Sequence, residues 1–251
     1  MKKVIVLILA MALLSCEQRF EQITEVSITG MENGYYYVDM GTSVMWATQN
    51  IGASIPNAYG TAYAWGEIET KDTFKVSNYA YYVSENEDTV LKYNTLELFG
   101  NVDNLTCIEA ADDVAAQKWG GQWRMPTVQE FQELITTCQW TGVEYNGVQG
   151  IKVMASNGNV LFFPSGDGIN KNITSKTWFS KIKPQTRSAV LGWSGTYWSS
   201  SLFEESPNMG YALEARINYV NIEDQMWALK SMEPRNRALG KGIRPVFSVE
   251  K

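Results

Sequence analysis

Histidine is absent from all 251 residues. That removes the side chain most used as a general base near neutral pH and the commonest neutral metal ligand, so His-based triads, zinc-hydrolase motifs and phosphohistidine chemistry are excluded. Catalysis would have to rest on carboxylates, Tyr, Lys, or Cys107 and Cys138. No phosphate-cradling P-loop or dinucleotide fingerprint occurs, and Gly192-Trp193-Ser194-Gly195 has the wrong spacing for a nucleophile elbow. Basic excess is also missing: the formal charge is -6, which argues against nucleic acid as a partner.

The N-terminus carries an address. Lys2 and Lys3 precede an apolar stretch, residues 4–14, too short to span a bilayer as a finished helix. Leu13-Leu14-Ser15-Cys16 then resembles the lipobox of a bacterial lipoprotein signal. The resemblance implies cleavage before Cys16 and acylation of that residue, with the mature chain anchored in a membrane by its lipid. An ordinary secretory signal with an incidental cysteine is the alternative. Residues 1–15 are thus read as the signal, 16–34 as a tether and 35–251 as a single domain. The expected location is the cell envelope, at the outer membrane or cell surface.

Within the domain, residues 35–39 and 44–48 are β-prone and separated by a turn, which predicts a hairpin. Thr106-Cys107-Ile108-Glu109 fits a capping box, so a first helix is expected from Thr106, ending at Gly120 and Gly121. A second capping box, Thr127-Val128-Gln129-Glu130, opens a helix with Val128, Phe131, Leu134, Ile135 and Cys138 at helical spacing. Beyond it the chain reads β. Residues 148–154 and 159–163 flank Ser156-Asn157-Gly158 as a hairpin; Tyr211, Leu213, Ala215 and Ile217 alternate with polar partners; residues 243–249 form a final strand. Residues 165–206 read as a long polar and aromatic loop, the kind that is usually functional. Nine Trp and thirteen Tyr exceed what a core of this size needs, so some are expected to line a surface.

Several motifs carry a wider likeness. Tyr37-Val38-Asp39-Met40-Gly41, Trp46-Ala47-Thr48-Gln49-Asn50-Ile51-Gly52, Tyr63-Ala64-Trp65-Gly66-Glu67, the run from Trp119 to Glu130, Cys138-Gln139-Trp140, Asn146-Gly147-Val148-Gln149-Gly150, Tyr197-Trp198-Ser199-Ser200 and Gly242-Ile243-Arg244-Pro245-Val246 occur in the order found in the bacterial major paralogous domain family known as FISUMP. The chain resembles that family over nearly all of residues 35–249. The resemblance implies an α+β, C-type-lectin-like fold with two helices, an antiparallel terminal sheet joining the first and last strands, and a long loop region opposite. Fold alone does not select a function.

Departures from the functional subgroups of that fold narrow the choice. The lectin calcium site is replaced by Glu233-Pro234-Arg235, with no Trp-Asn-Asp partner, and an arginine repels the ion it would need to ligate. No metal and no cofactor are therefore expected. The formylglycine-generating enzymes need a late pair of reactive cysteines, whereas Cys107 and Cys138 fall in the helical half and read as free, slow-reacting thiols. The expected function is a lipid-anchored, non-enzymatic binding or adhesion protein that recognises an extracellular glycan or surface protein through residues 165–237. Trp178, Trp193 and Tyr197 are the candidate stacking platforms, with Arg216, Arg235 and Arg237 supplying hydrogen-bond donors. The alternatives are a tip or cap subunit of a surface assembly and, with less support, a formylglycine-generating type of modifying enzyme.

Overall fold

A computed structural model describes residues 21–83, 86–165, 193–219 and 226–248. The first hairpin forms where the alternation places it. Strands β3 (Tyr35–Asp39) and β4 (Met45–Ala47) pair antiparallel with Val38 opposite Trp46, and both side chains are fully buried. Strand β2 (Gly30–Glu32) extends this sheet on one side, and the last strand, β13 (Val246–Phe247), closes it on the other, in the order β13-β4-β3-β2. The early and late ends of the domain thus share one sheet, as expected, although the last strand is shorter than residues 243–249.

Residues 21–32 are more than a tether. Strand β1 (Glu21–Ile23) pairs parallel with β7 (Gln139–Tyr145), and β2 pairs with β3, so both belong to the folded body. β7 continues antiparallel into β8 (Val148–Met154) and β9 (Val160–Pro164), giving the order β1-β7-β8-β9. The predicted turn between β8 and β9 is present, with Gly158 at a φ of 86° that a side chain would strain.

Two α-helices occur among the described residues. Helix α1 is shorter than predicted, Val114–Trp119, and its cap is Asp113 rather than Thr106. The Thr106 box fails because its backbone is taken by another partner. The Ile108 N–H donates to the Ser200 carbonyl at 2.8 Å and the Leu202 N–H donates to the Thr106 carbonyl at 2.9 Å, so the segment runs beside a strand. Asp113 instead accepts from the Ala115 and Ala116 amides through Oδ1 and from the Met125 amide, at 2.8 Å, through Oδ2. One carboxylate therefore starts the helix and fastens the returning loop. Helix α2 (Val128–Thr137) begins as predicted: Thr127 and Glu130 cap one another, and Glu130 also forms a two-point ion pair with Arg124.

The remaining strands are β5 (Tyr82–Val83) paired with β6 (Asn86–Val90), and the sheet of β10 (Trp193–Leu202), β11 (Met209–Tyr219) and β12 (Met226–Asn236). β10 corrects the expectation of a loop over residues 165–206, because residues 193–202 are strand, with a shift of register against β11 between Trp198 and Leu202. Among the described residues the architecture is mixed α+β and mostly strand, with four sheets. Its aromatics build the interior. The six tryptophans whose side chains are described, Trp46, Trp65, Trp119, Trp123, Trp140 and Trp198, are all buried.

Candidate functional site

Strand alternation divides the β10–β12 sheet into two unlike faces. Tyr197, Leu213, Ala215 and Met232 pack into the core beside helix α2 and Trp140. Glu214 lies between Leu213 and Ala215 and Arg216 one step further, so both project from the opposite face. Thr196 stands across from Glu214 on β10 and Ser231 on β12. At one end this face is covered by Trp198 and Ala212 in a second apolar cluster. At the other it opens where Arg216 keeps 55% of its side chain exposed.

Glu214, itself buried, organises the open end. Its Oε2 accepts from Arg216 Nη2 at 2.5 Å, and its Oε1 accepts from Arg235 Nε. Burial alone would raise the Glu214 carboxyl. The Arg235 hydrogen bond and the fields of Arg235, Arg216 and Lys241 outweigh it and hold the group below the usual carboxylate range. Lys241 completes the cluster from a different part of the chain. Its backbone exchanges two 3.0 Å hydrogen bonds with Tyr63, and its ammonium lies 5.1 Å over the Trp198 ring. Only 5% of Lys241 is exposed, and burial pushes its ammonium down to about 8, with Glu214 opposing the shift and Arg235 and Arg216 reinforcing it.

Of the residues singled out from sequence, the structure brings Arg216 and Arg235 together and assigns two others to the scaffold. Tyr197 is fully buried, donates to the Pro164 carbonyl at 2.7 Å and packs edge-on against Phe163; it cannot stack on a ligand. Arg237 is fully buried too. Its guanidinium lies 4.6 Å over Trp65, with Tyr79, Tyr81 and Tyr93 around it, and donates to Tyr79 Oη and to the Tyr93, Pro207 and Lys92 carbonyls. It ties three segments of chain into one cage, and no face is left for recognition. Trp193 begins β10. Trp178 and Cys16 lie outside the described residues.

Cys107 is exposed, with its thiol 3.2 Å from Ser200 Oγ, which corrects the expectation that it is shielded and slow-reacting, while Cys138 is buried and burial raises its thiol; both are free. Among the described residues no group of three or more His, Cys, Asp and Glu side chains is placed to hold a metal ion. Glu214 and Lys241 were missed from sequence. A signal for Glu214 was present: charged residues at alternate positions within an otherwise apolar strand, Leu213-Glu214-Ala215-Arg216-Ile217, mark a face that is not simply core. Nothing local foretold Lys241, which reaches the cluster through its bridge to Tyr63.

No protein-family model, curated protein sequence or solved structure matches this chain.

Proposed function

We propose that this chain is a lipid-anchored binding or adhesion protein of the cell envelope, acylated at Cys16, with a C-type-lectin-like domain of the FISUMP type. It recognises an extracellular glycan or surface protein through the open end of the β10–β12 sheet. The fold assignment is supported by the late strand β13 lying beside the first hairpin and by two helices followed by a strand-rich half. The binding role rests on one observation above the others: Glu214, buried and doubly bonded, holds the half-exposed Arg216 and the neighbouring Arg235 in fixed orientation at the surface. A guanidinium pre-ordered this way loses little side-chain entropy when it meets a ligand, whereas a free surface arginine has that cost still to meet.

A glycan array probed with the purified chain, once with calcium and once with chelator, tests the reading. Selective binding that survives chelation is expected, and the absence of any glycan or surface-protein ligand in the array and a parallel cell-surface pull-down would overturn it. A second reading, a subunit of a surface assembly, is favoured by the edge strand β2. Exposed Met31 stands opposite exposed Tyr36 there, and exposed Ile28 lies two residues before the strand.

A further inference from the structure

The cluster around Glu214 holds more positive charge than its own carboxylate can neutralise. Arg216, Arg235 and Lys241 face it, and both Glu214 oxygens are already bonded to the two arginines. Glu233 is the other carboxylate whose field reaches the group, and it acts on Arg235. Lys241 is 95% buried as a residue, and its ammonium, which still reaches solvent, makes no hydrogen bond or ion pair among the described residues. A buried ammonium is costly unless its N–H groups find acceptors. The Trp198 ring beneath it supplies electrostatic attraction but no acceptor oxygen. The surplus also runs against the chain as a whole, which carries a net charge of -6. A local positive site on an acidic protein calls for an anion.

We infer that Arg216, Arg235 and Lys241 form a receptor for an oxyanion, a carboxylate or sulfate group borne by the extracellular ligand. This rests on the reading of this face as the recognition surface. The oxyanion would approach along the exposed Arg216 side chain, accept hydrogen bonds from the guanidinium groups and offer Lys241 an acceptor oxygen. Glu214 keeps the two arginines oriented, with each of its oxygens accepting from one guanidinium. Because burial lowers the Lys241 ammonium to about 8, with Glu214, Arg216 and Arg235 the charged groups whose fields reach it among the described residues, the site loses one positive charge as pH rises through that value. Oxyanion binding should weaken with it.

The test uses the full chain in detergent, titrated at constant ionic strength with sodium sulfate, D-glucuronate and, as the neutral counterpart, D-glucose. Binding is read by calorimetry and by the fluorescence of Trp198 and its neighbours. Saturable binding of sulfate or glucuronate is expected, at least about ten-fold tighter than glucose. It should weaken by about ten-fold or more in Arg216→Gln, in Lys241→Met, and in the wild type at about pH 9.5. Arg216 is half exposed, so its variant should keep the fold and report on affinity alone. The inference is overturned by wild-type protein that binds neither oxyanion, by affinity unchanged in Arg216→Gln, or by glucose binding as tightly as glucuronate. If an array ligand is bound normally by a chain that binds no oxyanion, this inference fails while the binding reading stands.

Discussion

Replacing Lys241 by Met should make the protein more stable, a sign opposite to that of most core substitutions. Lys241 is 95% buried as a residue, its ammonium lies 5.1 Å over Trp198, and burial lowers that group from 10.5 to about 8. A gap of that size between folded and unfolded chain corresponds to about 3 kcal/mol of destabilisation wherever both states carry the proton, at about 1.4 kcal/mol per pH unit. Met keeps nearly the same length and can rest its thioether on the indole, so little packing is lost. The sign follows from linkage. A lysine whose folded value is depressed leaves the unfolded chain holding more protons between about pH 8 and 10.5, so wild-type stability gains on the variant across that window. At pH 7 the variant should melt higher, by about 6 to 12 °C for a domain of this size, and the difference should close as pH approaches 10.5. Melting both proteins at several pH values isolates Lys241, because the buried tyrosines titrate alike in each. A variant that melts at or below the wild type at pH 7, or a difference that does not change with pH, would refute the reasoning.

Other consequences are equally open to measurement. Arg237→Lys should cost about 3 to 5 kcal/mol, since an ammonium cannot reach the Tyr93, Pro207 and Lys92 carbonyls together and leaves buried acceptors unpaired; a melting temperature within about 2 °C of wild type would show that the cage is dispensable. Alkylation of the native protein should modify Cys107 quickly and Cys138 only after denaturation, and mass analysis that finds neither thiol modified in denaturant without reductant would reveal a disulfide. Cys16→Ser should abolish incorporation of a fatty-acid analogue in cells, and label retained by the variant would remove the lipid anchor from the proposal.

The features legible in the sequence were those set by local rules. The Thr127 to Glu130 capping box, the Gly120 and Gly121 turn and the β8–β9 hairpin each depend on residues a few positions apart, and each formed. The Thr106 box obeys the same rule yet failed, because pairing with residues 200 and 202 took its backbone, a competitor invisible in a window of four residues. Tyr197 and Arg237 were misjudged for a related reason. A tyrosine or arginine amid polar residues reads as surface, but here the phenol reaches a carbonyl at Pro164 and the guanidinium reaches three, which makes burial affordable. The charged cluster itself joins residues 214, 216, 235 and 241 through strand register and a single bridge at Tyr63. Its existence depends on long-range pairing, and only the alternation at Glu214 and Arg216 could be seen beforehand.

The decisive comparison is of wild type and Arg216→Ala against the tightest ligand that the array or pull-down yields, with melting temperature recorded beside affinity. Arg216 is half exposed and bonded to Glu214, so its loss should leave melting nearly unchanged while affinity falls by about ten-fold or more. Full affinity retained by a well-folded Arg216→Ala protein would place recognition somewhere other than the β10–β12 sheet.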